Sequence, residues 1–155
     1  MRLTHNPLFP LSALVSTFMV LAASGSDARA DEAKFESQLF WATNDKQSHD
    51  PKLKAVEADV RKKLGELPLK WENYFAVNRT NFSVATGATN LVTLSKKCTI
   101  EVRLVGKDKV EVSFHGQKDH VCLTRTQPLP QGEILVLGGN APNKTAWFVT
   151  VKRID

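Results

Sequence analysis

Three side chains suited to metal binding or acid–base chemistry flank one predicted hairpin turn. They are His115, Asp119 and His120, in the sequence His-Gly-Gln-Lys-Asp-His. Imidazole and carboxylate groups ligate zinc or copper, and they also serve as general acids and bases in hydrolysis. The spacing places no fourth ligand, so a solvated turn is the competing interpretation. We predict no resident metal or cofactor and keep these residues as the candidates if one exists.

Cys98 and Cys122 form a second candidate pair. A disulfide between them is expected if the chain is exported, and it would stabilise the fold by about 2–4 kcal/mol. Cys98 is in phase with the inward face of its strand, whereas Cys122 is out of phase with Val121 and Leu123. Three arrangements therefore stay open: a bulge corrects the phase, a second layer covers the neighbouring apolar residues, or the cysteines are unpaired.

Aromatic side chains supply a third candidate site. Flat rings with a polar atom suit contacts with sugars and peptides. Core packing is the competing interpretation, because each ring lies within an apolar cluster. The predicted binding residues are Trp41, Trp71, Tyr74 and Trp147.

Motifs and charge exclude several function classes. The sequence contains no G-x-S-x-G elbow, no H-E-x-x-H pair and no phosphate-binding loop, so it identifies no catalytic residue. The 155 residues carry 21 Lys and Arg against 16 Asp and Glu, a net charge of +5. Acidic residues interrupt the densest basic cluster, so no nucleic-acid surface is predicted. With 42% hydrophobic residues, the chain is predicted to form a core.

The first 30 residues have the pattern of a secretory signal peptide. Arg2 is followed by an apolar run over residues 8–23 and by the small-x-small sequence Ala28-Arg29-Ala30. The run is shorter than the ~20 residues of a membrane-spanning helix, although an uncleaved anchor stays open. We therefore predict a single mature domain, residues 31–155, that is secreted or periplasmic. No membrane span is expected after cleavage.

One amphipathic helix is predicted early in the mature domain. Asp50 and Pro51 suit an N-cap and a first helical position, and Pro68 would end the helix. The apolar residues between them recur at spacings of three and four, which places them on one stripe. The stripe comprises Leu53, Val56, Val60, Leu64 and Leu67.

Alternating residues predict a hairpin in the middle of the domain. Cys98, Ile100, Val102 and Leu104 share one face of its first strand, and the return strand runs from Val110 to His115. Pairing Leu104 with Val110 keeps the apolar residues together and sets Arg103 opposite Glu111.

Further strands are predicted on either side of this hairpin. Residues 35–43 suit a first strand and residues 145–152 a last one. Residues 134–137 are apolar without alternation, which indicates a strand buried on both faces. Gly138-Gly139-Asn140 is predicted to be a turn. The whole pattern predicts an α+β fold: a mostly antiparallel sheet or partial barrel of five to seven strands, with one helix packed on it.

These observations favour an exported, non-enzymatic binding domain of the cell envelope or extracellular space. Its expected partner is a protein, peptide or glycan, and exposed strand edges offer one way to hold it. A small secreted hydrolase or metal-binding protein that uses His115, Asp119 or His120 is the first alternative. A structural subunit of an envelope assembly is the second.

Overall fold

The structure is a computed structural model that describes residues 31–116 and 120–155. The predicted signal peptide, residues 1–30, lies outside the described residues, as does Asp119. Within the described ranges, no helix has both the length and the apolar character needed to cross a membrane.

The described residues form nine strands and one helix. Their order is β1 Glu32–Thr43, β2 Lys54–Ala55, α1 Ala58–Gly65, β3 Asn73–Ala85, β4 Thr89–Ser95, β5 Cys98–Leu104, β6 Lys109–His115, β7 Val121–Pro128, β8 Ile134–Ala141 and β9 Thr145–Arg153. The predicted α+β class, with a mostly antiparallel arrangement and one helix, is confirmed. There are more strands than the five to seven expected, and they form two sheets that do not close into a barrel.

The two sheets meet at a corner after β3. Sheet A has the strand order β2-β3-β1-β9-β8, and sheet B has the order β4-β5-β6-β7. Gly87 turns the chain from β3 to β4 with φ of 79°, a conformation that favours glycine. Its N–H donates to the carbonyl of Leu104 at 2.7 Å, and Thr86 bridges Leu104 in parallel. These contacts join sheet A to sheet B along one side of the two-sheet sandwich.

The main core fills the space between the sheets. Alternate residues of each strand point into this space, as the period of a pleated strand requires. The core residues from β1, β5, β6, β8 and β9 include Phe35, Ile100, Val102, Val110, Val112, Leu135, Leu137, Val149 and Val151.

The helix covers the opposite face of sheet A and is shorter than predicted. It spans Ala58–Gly65, and its buried residues Val60 and Leu64 pack on a second core that includes Phe40 and Phe148. The predicted start at Asp50 and Pro51 is wrong. The Asp50 carbonyl and carboxylate instead accept hydrogen bonds from the N–H groups of Leu53 and Lys52, which closes a turn.

Ion pairs fasten the beginning of the helix to sheet A. Arg79 on β3 pairs with Glu57 and also with Glu36 on β1, the latter at 2.5 Å. Lys152 on β9 donates to Asp59 at 2.7 Å. This hydrogen bond from Lys152 lowers the pKa of the Asp59 carboxyl group. Ion pairs at its N-terminal end and apolar packing of Val60 and Leu64 therefore both attach the helix to sheet A.

The central hairpin has the predicted register. Leu104 pairs with Val110, and Arg103 lies opposite Glu111. The apolar residues of both strands face the core, whereas Arg103 is exposed.

Gly138 and Gly139 lie within β8, so the predicted turn at this point is wrong. The two glycines face Phe148 and Trp147 on β9. A Cβ on Gly138 would stand 2.2 Å from a ring carbon of Phe148, and one on Gly139 would stand 2.6 Å from a ring carbon of Trp147. The glycines provide space for two large rings. The turn follows at Asn143 and Lys144, where φ is 61° and 58°.

Substituting Gly138 tests this close approach. We expect Gly138→Ala to destabilise the protein by about 1–3 kcal/mol in urea denaturation, because the added methyl group must displace the Phe148 ring. Gly65→Ala is the matched control, since nothing lies within 4 Å of a Cβ there. Equal unfolding midpoints for the two variants would contradict the packing described.

The ion pair of Asp59 predicts a pH-dependent contribution to stability. A carboxyl group with a lowered pKa stabilises the fold above its unfolded pKa and loses this effect as the pH falls through its folded pKa. Asp59→Asn should therefore cost about 0.2–1 kcal/mol at pH 7, and the difference from the unsubstituted chain should vanish at low pH. Asp45→Asn, outside these ion pairs, is the control. A difference that persists in acid would contradict the assignment.

Candidate functional site

On the opposite side of the sandwich, the consecutive strands β7 and β8 do not pair with each other. Among residues 31–116 and 120–155, β7 pairs only with β6 in sheet B, and β8 pairs only with β9 in sheet A. The connection over residues 129–133 carries the chain from one sheet to the other. Each strand therefore has one row of backbone N–H and C=O groups without a strand partner in the described part of the chain, and we call this side the open edge.

The ladder pattern identifies which backbone groups face the open edge. The Leu129 N–H donates to the Asp108 carbonyl, so alternate residues of β7 from Leu129 backwards bond to β6. The groups that point away belong to Thr124 and Thr126. The Arg153 N–H donates to the Glu133 carbonyl, and the same alternation leaves Val136 and Gly138 of β8 pointing away from β9.

The inward face of β7 is itself uncovered. Leu123, Arg125 and Gln127 pair with Phe114, Val112 and Val110, whose side chains are buried. They share the core side of sheet B with these residues. Leu123 is nevertheless 40% exposed, and Arg125 is exposed as well. Within the described part of the chain, no residue of β7 is buried.

A groove of about 380 Å³ follows the open edge between β7 and β8, with one end of the helix at its margin. Arg125 forms no ion pair with any described residue, whereas Lys63 pairs with Glu66 at 3.6 Å. The groove residues are Lys63, Leu67, Leu123, Arg125, Gln127 and residues 133–138.

A separate cavity of about 500 Å³ is lined by residues of both sheets, and we call it the Trp147 cavity. The Trp147 ring stacks on Phe114 with 4.3 Å between centroids and forms part of the wall. The described lining residues are Leu39, Ser95, Lys97, Cys98, Phe114, Gly116, Cys122, Asn140, Ala141, Pro142 and Trp147.

Both cysteines line the Trp147 cavity, but no disulfide joins them. The register of β6 and β7 shifts between Phe114 and His115, so a bulge brings Cys122 to the inward face. A Cβ on Gly116 would stand 2.9 Å from the Cys122 Sγ. Strand β6 separates the cysteines, and two strand spacings of about 4.8 Å exceed the Cα separation of a disulfide. The expected bond is therefore corrected to two free thiols.

The thiols have different environments. Burial raises the pKa of Cys98 to about 12, because the thiolate would lose its hydration. Cys122 is exposed, and its Sγ lies 3.4 Å from the His120 carbonyl oxygen.

The four predicted aromatic residues do not form one platform. Trp41 and Trp147 face each other across β1 and β9 on the side of sheet A toward sheet B. Trp71 and Tyr74 pack around Phe148 on the helix side. The Trp71 Nε1 donates to the Lys144 carbonyl at 3.0 Å, and the Tyr74 hydroxyl donates to the Trp71 carbonyl.

Neither of the two described histidines of the turn lines the groove or the Trp147 cavity. His115 Nε2 is buried without a hydrogen-bond partner and lies 3.5 Å from Glu101 Oε2. His120 is exposed at the beginning of β7. Among residues 31–116 and 120–155, no three His, Cys, Asp or Glu side chains are arranged as a metal site.

The groove residues were missed by sequence reasoning, although a signal is present. Leu123, Arg125 and Gln127 alternate with Cys122, Thr124 and Thr126, so neither face of β7 is uniformly apolar. A strand within a two-layer core normally has one apolar face. This departure marks an uncovered strand.

No family model matches the chain, and searches of the curated proteins and of the solved structures likewise find no match.

The thiol assignment predicts selective alkylation. Iodoacetamide should modify Cys122 in the native protein and reach Cys98 only when urea unfolds it, because Cys98 is buried with a raised pKa. Peptide mass spectrometry measures both sites. Equal native reaction of the two, or a mass lower by two hydrogen atoms that reveals a disulfide, would contradict the assignment.

Proposed function

We propose that the protein is an exported binding domain that holds an extended segment of a partner protein along its open edge. The partner belongs to the cell envelope or extracellular space, in keeping with the predicted signal peptide. The observation that supports this function is the exposure of the inward face of β7 beside an unpaired strand of the other sheet.

Backbone hydrogen bonds would supply much of the affinity. An added strand satisfies a row of N–H and C=O groups without requiring a particular sequence. The open edge offers such groups on both sides of the groove, from Thr124 and Thr126 on β7 and from Val136 on β8. An inserted segment would pair with either or both.

Side chains in the groove would select the segment. Leu123, Leu135 and Leu137 favour apolar residues on its inward face. Arg125 has no ion-pair partner among the described residues and favours a carboxylate beside it. The preferred segment is therefore extended and apolar, with an acidic residue that reaches Arg125.

The other functions stay open as predictions. A hydrolase or metal-binding protein that uses His115, Asp119 and His120 receives no support from a cavity, because His115 and His120 line neither the groove nor the Trp147 cavity. A structural subunit would fill the same groove with a second copy of the chain, which the experiment below distinguishes.

Peptide binding tests the proposal directly. The probe is a peptide of about the length of β7 with valine at the positions that face the groove, except for one glutamate on that face to reach Arg125; its comparator has lysine in place of that glutamate. Calorimetry with the mature chain should give saturable binding that is tighter for the acidic peptide. Hydrogen exchange should then slow at the amides of Thr124, Thr126 and Val136, because the peptide bonds to them.

Two arginines on sheet B provide a matched pair of variants. Arg125→Glu should weaken binding of the acidic peptide by about tenfold, because it replaces the expected attraction with repulsion. Arg103→Glu places the same change outside the groove and should leave binding unchanged. Equal effects of both variants, or protection of amides elsewhere, would overturn the proposal. Concentration-dependent self-association without peptide binding would favour the structural subunit.

A further inference from the structure

The Trp147 cavity has the volume of a small-molecule site, and the proposed strand binding does not use it. Its volume of about 500 Å³ falls within the range of about 300–1,000 Å³ that is typical of ligand pockets. Its lining shares no residue with the groove. A ligand here would therefore contact other described residues than a segment at the open edge would.

Apolar groups form most of the cavity wall. Leu39 is a buried core residue, and the Phe114 ring, itself buried, stacks against Trp147. Gly139 lets the Trp147 ring lie close to β8, since a Cβ there would stand 2.6 Å from the ring. The buried Cys98 thiol adds a further weakly polar group. Such a wall suits a hydrocarbon chain or ring.

The polar side chains of the described lining are one cation and two neutral groups. Lys97 is the one charged side chain among the described lining residues, and it is exposed in the turn between β4 and β5. It forms no ion pair with the part of the chain that the structure describes. Ser95 and Asn140 contribute neutral hydrogen-bonding groups. An apolar wall beside the Lys97 ammonium group is complementary to an amphiphilic anion.

We propose that the Trp147 cavity binds a small apolar carboxylate, with its hydrocarbon body against Leu39, Phe114 and Trp147 and its carboxylate at Lys97. The ligand binds as a free molecule from solution rather than as part of a membrane.

Three probes with the same hydrocarbon chain test the charge preference. They are decanoate, decanol and decyltrimethylammonium, each used below its micelle concentration with the mature chain. Calorimetry should rank decanoate as the tightest and the cation as the weakest, because only the carboxylate pairs with Lys97. Decanoate should also slow the alkylation of Cys122, which lines the same cavity.

Adjacent lysines supply the control. Lys97→Gln should weaken decanoate binding by about threefold to tenfold and leave decanol binding unchanged. Lys96→Gln removes a neighbouring exposed charge that lies outside the cavity and should alter neither. Ala141→Trp should reduce binding of both probes by filling the cavity. Because the lysine variants change surface groups, the test does not depend on whether Ala141→Trp folds.

Several results would overturn the inference. These are equal affinity for decanoate and the cation, equal effects of the two lysine variants, or decanoate binding that leaves Cys122 alkylation unchanged. Binding to anionic vesicles without binding of monomeric decanoate would also overturn it, because the ligand would then belong to a membrane surface. The acidic peptide assay at the groove is read separately, so failure here leaves the proposed function standing.

Discussion

The crossing of the chain from sheet B to sheet A is the constraint on which the rest of the structure depends. Every backbone N–H and C=O group needs a partner, and strands usually find it in a neighbouring strand. Because β7 and β8 follow each other in sequence but lie in different sheets, neither completes the edge of the other. The open edge therefore results from the topology itself. The exposed face of β7 and the groove beside it both follow from this topology.

Sheet A is the central layer, and its two faces explain how the remaining residues are distributed. The helix covers one face through Val60 and Leu64, and sheet B covers the other through β5 and β6. Phe148 and Trp147 are neighbours in sequence, yet they point into different layers. The predicted aromatic residues are likewise divided between these two layers, with Trp41 and Trp147 on one side of sheet A and Trp71 and Tyr74 on the other. Trp147 lines the cavity, whereas Trp71 and Tyr74 pack on Phe148 in the core between sheet A and the helix.

Local patterns were sufficient for the elements that local rules determine. The register of β5 and β6 followed from alternation, because a shift by one residue would bury Glu111. The helix stripe identified Val60 and Leu64, but the start was wrong because Asp50 and Pro51 suit a turn as well as a cap. Gly138 and Gly139 were misplaced because their partners, Phe148 and Trp147, lie on another strand. The groove depends on the position of β7 relative to β8 in the other sheet, and no local sequence pattern specifies that position.

Hydrogen exchange of the unliganded, monomeric protein tests the open edge most directly. Within β7, the amides of Leu123 and Arg125 bond to β6, whereas those of Thr124 and Thr126 point into the groove. We expect slow exchange at the first pair of amides and fast exchange at the second pair, in alternation along one strand. Equal protection of all four amides would show that the edge already has a partner within the chain, and it would contradict the central claim.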